Sequence, residues 1–194
     1  THFNALMWDS GRSPTRVIEH GVLPLAGDRH RGELAKGLVV VNNIDRRGRR
    51  LGADVYDAVR LQVPLTLVGM GADRVPGGAG EVAQDALPGV MASHRFFFNP
   101  IRYTSLGLSI VEAMFVGMPI VGLATTELPT VVVNGENGYV DTRVDRLVEA
   151  MQRLLRDPSE ARRLGDNARR TAQERFGIGR FVADWLAALK SITA

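Results

Sequence analysis

The sequence contains no cysteine. That absence excludes a disulfide framework, a thiolate metal site and a cysteine nucleophile, and gives mild support to a cytoplasmic setting. Histidine is sparse as well. His2, His20, His30 and His94 fall at no ligand spacing, which excludes a structural zinc site. Lysine is confined to Lys36 and Lys190, so nearly all of the 24 basic residues are arginines, and against 21 acidic residues the net charge is only +3. No apolar run has the character of a membrane span, because the longest, residues 106–124, is broken by Glu112, Gly117 and Pro119. Low-complexity tracts are missing too, since the 21 Gly and 9 Pro are spread between apolar runs. No basic start with an apolar core and a small-residue cleavage site opens the chain. It begins at Thr1 without a methionine and reads as a processed or excised piece of something longer.

What is present, 45% hydrophobic and 23% charged residues over 194 positions, describes a globular chain of one large domain, or one domain plus a fragment. Short continuous apolar runs alternate with helical patterns. Strands are expected at residues 38–43, 63–68, 95–98, 119–122 and 138–140, and helices at 52–62, 85–94, 106–116 and 128–133. Strands that are apolar throughout, alternating with helices, imply a parallel sheet covered on both faces, a doubly wound Rossmann-like α/β layout. Beyond residue 143 the chain reads as helix, at 143–156 and 159–175. A last segment then places Ile178, Phe181, Val182, Trp185, Leu186, Leu189 and Ile192 at helical spacing as an apolar stripe that needs a partner surface. Residues 1 to about 35 alternate too little to form a domain.

Ligands of open α/β folds bind beyond the carboxyl ends of the strands. The loop and helix from Asn99 to Val121 are the most informative such place, because Glu112 stands among Leu108, Ile110, Val111, Ala113, Met114 and Phe115. A carboxylate there is costly unless hydroxyls or cations meet it. Helical side chains lean toward the N-terminus, so Glu112 can point back to the Tyr103–Leu108 loop, where free N–H groups and the positive dipole end suit a phosphate. The bland alternative is a structural ion pair of Glu112 with Arg102. Arg46, Arg47, Arg49 and Arg50 form a basic run that lacks interleaved aromatics, a weak signal for nucleic acid. Gly69-Met-Gly71 lacks the third glycine of a dinucleotide fingerprint, Arg74 standing in that place, and reads as a tight turn near a ligand. His94 reads as packed or capping, and Asn43 equally as a turn cap or a ligand contact.

The run through Pro100, Arg102, Tyr103, Gly107, Leu108, Glu112, Ala113, Met114, Gly117, Pro119 and Val121 resembles the C-terminal, donor-binding domain of GT-B glycosyltransferases, especially the retaining family-four type. Leu67-Val-Gly-Met-Gly71, Leu87-Pro-Gly-Val-Met-Ala, Asn134-Gly-Glu-Asn-Gly-Tyr-Val140 and Glu174-Arg-Phe176 extend the likeness over residues 15 to 190. Val17-Ile-Glu-His-Gly-Val22 resembles the hinge between the two halves of that fold.

The resemblance implies one half of a GT-B fold. Residues 1–35 would be a remnant of the upstream acceptor domain and hinge, 36–175 the donor-nucleotide domain, and 176–194 a helix crossing back to a missing N-terminal domain. It implies an enzyme that moves sugar from a nucleoside-diphosphate sugar to an acceptor, with no metal or other cofactor and no nucleic-acid partner. Glu112 would hold the ribose hydroxyls. Asn43, Arg47, Gly107 and Leu108 would meet the diphosphate, Thr104, Ser105 and Leu106 the donor sugar, and Gly80, Glu81 and Val82 the nucleobase. No catalytic residue is assigned to this half, and the fragment is expected to be inactive alone. Thr104 stands where the family carries a carboxylate, which leaves open a sugar-nucleotide epimerase or hydrolase of the same fold, or a non-catalytic nucleotide-sugar or partner-binding module. Self-association through the last helix, and a cytoplasmic place at the inner face of a membrane, complete the expectations.

Overall fold

The computed structural model describes residues 1–23 and 29–193. Residues 24–28 and Ala194, in the expected terminal segments, lie outside the described set, as does the side chain of Ile192 in the expected stripe. A short helix α1 (His2–Met7) precedes β1 (Leu34–Val40), α2 (Ile44–Leu51), α3 (Ala53–Arg60) and β2 (Leu65–Val68). Then follow α4 (Leu87–Ser93), β3 (His94–Asn99), α5 (Leu108–Val116), β4 (Ile120–Leu123), β5 (Gly138–Asp141), α6 (Val144–Arg156), α7 (Pro158–Phe176) and α8 (Ile178–Thr193). The strands form one parallel sheet in the order β2-β1-β3-β4-β5. Strand order reverses between β1 and β3, so a crevice opens beyond their carboxyl ends.

Alternate residues of each strand serve opposite faces. Leu38, Phe97 and Ile120 pack with α4, α5 and α7, while Val39, Phe96, Phe98 and Val121 pack with α2, α3 and α6. Two filled faces explain why β3 is buried along its whole length. β1 begins four residues earlier than its apolar run suggests. Leu34 pairs with His94, and the register then shifts before Gly37 meets Phe96, so an irregular, exposed start precedes the buried part of the strand. The expected helix at 128–133 is a single 3-10 turn, Leu128–Thr130. His94 is packed as expected, its ring bonded to the Val90 carbonyl at 2.7 Å and to Thr66 Oγ1 at 3.0 Å.

The helices stop and start where local chemistry dictates. Asp157 caps α7, its carboxylate accepting from the N–H groups of Ser159 and Glu160 at 3.0 Å each, with Pro158 in the first turn. Gly117 ends α5 at φ 97°, the left-handed conformation that glycine adopts without strain. Residues 19–22 are tied to the end of α7 and the start of α8: Arg180 donates to the carbonyls of Glu19 and His20 at 3.0 and 2.7 Å, and Val22 N–H donates to Phe176 O at 2.9 Å. Trp185 shares a cavity of about 310 Å³ with Trp8, Val17 and Ile18, yet remains 47% exposed. The stripe is therefore covered only in part.

Helices α5 and α7 touch through Gly165, where an added Cβ would lie 2.0 Å from the carbonyl oxygen of Gly117. Ala is a better helix former than Gly by about 1 kcal/mol, but so close an approach to a backbone atom costs about 2–3 kcal/mol, the upper part of the range for overpacking. Gly165→Ala is expected to lower stability by about 1–2 kcal/mol in urea denaturation. A neutral or stabilising result would show that the two helices can separate cheaply.

Candidate functional site

A cavity of about 540 Å³ opens at the carboxyl edge of the sheet, within the range usual for small-molecule sites. Its floor is the ends of β1 and β2, Val40 and Val68. One wall is the first turn and a half of α5, Leu108, Ser109 and Glu112, and the other is Glu81, Val82, Gln84 and Leu87.

Each wall has a local cause. Gly69 ends β2 at φ 133°, and a Cβ there would come within 2.6 Å of the Val41 carbonyl and 2.8 Å of Asn42 Oδ1, so only glycine lets the turn approach the end of β1 so closely. Asn42 Oδ1 accepts Met70 N–H at 2.9 Å and Asn43 N–H donates to Met70 O at 2.7 Å, tying the two loops together. Gly69 N–H donates to Gly80 O at 2.9 Å, which sets residues 80–82 over the floor. Gly107 caps α5 without any side-chain hydrogen bond, and while the Ile110 N–H donates to Gly107 O at 3.1 Å, the N–H groups of Leu108 and Ser109 at the helix start are open to an anion.

Glu112 faces this cavity because its neighbours cannot. Ile110, Val111, Ala113, Met114, Phe115 and Val116 are all in the core, and only Leu108, Ser109 and Glu112 remain on the open side of the helix. Gln84 Nε2 donates to Glu112 Oε1 at 3.1 Å. Burial raises the Glu112 carboxyl above its ordinary value of 4.5, opposed only by that amide. The structural ion pair with Arg102 does not form. Arg102 instead grips Asp54 through Nη1–Oδ1 at 2.5 Å and Nη2–Oδ2 at 2.9 Å, and donates to the Arg49 carbonyl at 2.9 Å. That bond to Arg102 holds the Asp54 carboxyl below its usual range against a partial desolvation cost. Arg102 thus fastens the loop after β3 to the α2–α3 corner.

Of the residues named from sequence, Glu81, Val82, Leu108 and Glu112 line the cavity together, with Gly80 bonded behind them. Gly107 lies at its edge as the cap of α5. Thr104 and Ser105 sit in the adjoining loop, half-buried, while the side chain of Leu106 is in the core and leaves only its backbone toward that loop. Asn43 takes a left-handed conformation, φ 52° and ψ 45°, and its Oδ1 accepts from Arg74 Nη2 at 3.3 Å. Asn43 stands at the start of α2 without a side-chain cap bond, and the neighbouring Asn42 lines the cavity. Arg47 is exposed on α2, and among the described residues no hydrogen bond or ion pair engages its guanidinium. Asn42, Gln84 and Ser109 went unnamed from sequence. Nothing in their local pattern distinguishes them, although Ser109, next to Leu108 in the first turn, was within reach.

Residues 79–171 match the family model described as Glycosyl transferases group 1. Among curated proteins, the MMP alpha-(1->4)-mannosyltransferase of Mycolicibacterium hassiacum is 37% identical over 116 residues, 58% of this chain and 28% of its own length. Among solved structures, sucrose-phosphate synthase from Thermosynechococcus elongatus superposes with a TM-score of 0.79 at 24% identity, covering 92% of this chain and 52% of that one. The Anabaena protein Alr3699/HepE, solved in complex with UDP-glucose, gives a TM-score of 0.66 at 19% identity over 83% of this chain and 49% of its own. The chain spans about a quarter of the curated relative and about half of these structures.

The raised carboxyl of Glu112 has a sign that can be checked. A folded-state value above the unfolded one adds stability below pH 4.5, and this is lost as pH rises through the raised value, since the folded protein must then keep an ionised carboxylate half-buried. The Tm of Glu112→Gln relative to the parent is therefore expected to climb with pH from 4.5 upward across that window. A Tm difference that is flat or falls with pH would mean the carboxylate is well solvated.

Proposed function

We propose, from the premise that residues 79–171 form a Glycosyl transferases group 1 domain on the C-terminal half of a GT-B fold, that this chain binds the nucleoside-diphosphate sugar donor of a glycosyl transfer. The observation that carries the reading is the spacing of two complementary groups on α5. Glu112 accepts hydrogen bonds in the cavity, and the uncapped N-terminus at Gly107 and Leu108 lies about one turn away, on the order of 5–6 Å along the axis. A carboxylate suits the two hydroxyls of a ribose, and an open helix start suits the diphosphate that the ribose carries. The base then lies against Glu81, Val82 and Leu87, with the backbone at residues 80–82 as its edge contact. Arg47, unengaged on α2, supplies a forked cation to the phosphates as the leaving group gains charge. Thr104 and Ser105, beyond the start of α5, face the sugar.

On this reading catalysis comes from stabilising the departing diphosphate, where charge builds as the glycosidic bond breaks. No metal is assigned to that role. The acceptor site belongs to another domain that closes on this one, so the chain alone binds donor and turns it over poorly. Retention of anomeric configuration, a cytoplasmic setting and contact with the inner face of a membrane are carried over from the family resemblance as parts of the same proposal. Among the described residues no helix is long and apolar enough to cross a membrane.

Glu112→Gln is expected to weaken UDP, GDP or ADP, whichever binds, by roughly tenfold, the order lost with hydrogen bonds to a charged acceptor. Arg47→Ala should weaken diphosphates while sparing the parent nucleosides. Calorimetric titration checks both. Unchanged diphosphate affinity in the first variant, or equal losses for nucleoside and diphosphate in the second, would count against the respective assignment. Thr104→Glu should alter binding of sugar nucleotides and leave the free diphosphate nearly unaffected.

A further inference from the structure

A second carboxylate lies beside the sugar-facing loop, and the donor reading leaves it unused. Glu127, in the turn after β4, is only 2% exposed. Its Oε2 accepts the backbone N–H of Phe3 at 2.6 Å, and its Oε1 accepts the Thr130 hydroxyl at 3.2 Å. The turn that carries it is clamped to the loop after β3: Glu127 N–H donates to Ser105 O at 3.4 Å, and the Thr126 hydroxyl donates to the same carbonyl at 3.0 Å. Thr126 itself is held at φ 54°, the left-handed region. Glu127 is thus fixed next to Ser105, one residue from Thr104 and two from the cap of α5.

The cover over this carboxylate is weak. The donors that reach it from outside its own turn come from the start of α1. Helix α1 buries none of its residues; Leu6 within it is 82% exposed and Trp8 at its end 75%. Beyond those bonds, Phe3 meets Tyr103 edge-on with the rings 6.0 Å apart, and Asn4 and Ala5 border the open cavity shared with Val17, Ile18 and Trp185. A segment with so little buried surface opens at small cost. Opening carries away the Thr1 hydroxyl and α-ammonium together with the Phe3 N–H, and exposes an acceptor-only group that no guanidinium or lysine side chain pairs among the described residues. Such a group calls for hydroxyl donors. Neighbouring Thr104 can accept a hydrogen bond but is uncharged, so it cannot supply a charged acceptor.

We infer that Glu127 recognises the sugar of the donor: its carboxylate accepts hydroxyls of the hexose of a nucleoside-diphosphate hexose, and the Phe3 N–H occupies that acceptor until the sugar displaces α1. This rests on the donor-site reading above.

The test is calorimetry on the full chain with UDP, GDP and ADP and with UDP-glucose, GDP-mannose and ADP-glucose. Glu127→Gln should weaken the bound hexose conjugate by roughly tenfold, the order of a lost charge-assisted hydrogen bond, while the matching free diphosphate stays within about twofold. Equal effects on both ligands, or no effect on the conjugate, would overturn the inference and leave the donor site standing. Failure of the parent to bind any of the six ligands would overturn the donor reading and this inference with it. Because Glu127→Gln also loosens α1, a second variant keeps the carboxylate. Phe3→Pro removes the competing N–H at a first-turn position where proline is tolerated, and should strengthen the conjugate relative to the free diphosphate. A weakened or unchanged conjugate in Phe3→Pro would show that Glu127 serves only to anchor α1.

Discussion

The geometry of the site follows from how completely α5 is sealed. Six of its nine residues are in the core, between the sheet and α7, so the helix cannot rotate or slide without breaking that packing. Whatever remains on its open side is held in one direction. Glu112 is on that side, and it therefore keeps a half-buried carboxyl pointed at the cavity with one amide as its partner. The same sealing fixes the N-terminus of α5 one turn away. The close contact of α5 with α7 at Gly117 and Gly165 is what allows the depth of that burial.

Around this rigid member the loops are fastened to one another. Arg102 draws the loop after β3 onto Asp54 and the α2 backbone, and Arg50 lies over the Tyr103 ring at 5.8 Å. Arg74 bridges to Asp45 at 3.0 and 3.2 Å and so joins the turn after β2 to the start of α2. Several arginines that composition alone would leave as a solvated surface are thus cross-ties between loops at one edge of the sheet. Among the described residues, no such tie engages Arg46 or Arg47.

Much of this was legible in the sequence, for physical reasons. A parallel sheet buried on both faces writes itself as largely apolar runs, and residues 95–98 and 119–122 read as strands for that reason, within one residue of β3 and β4 at each end. Glu112 was legible because an acid inside an apolar helix is anomalous by itself. The start of β1 was not, since Leu34, Ala35 and Lys36 are exposed and join the sheet only through pairing with His94. Gln84 and Asn42 were invisible because their roles depend on partners 28 residues away in the chain. Glu127 gave no local sign of burial, its first outside donor being 124 residues distant. Long-range polar pairing is the part of the site that local pattern does not encode.

The central claim is that the cavity between the turn at Gly69, residues 80–84 and the start of α5 is a nucleotide site oriented by Glu112. A crystal structure of the chain with the nucleoside diphosphate that binds best tests it most directly. The account predicts ribose hydroxyls within hydrogen-bond distance of the Glu112 carboxylate and phosphate oxygens at the N–H groups of the first turn of α5. A nucleotide seated elsewhere, or one whose ribose turns away from Glu112 while its phosphates leave that turn empty, would contradict it.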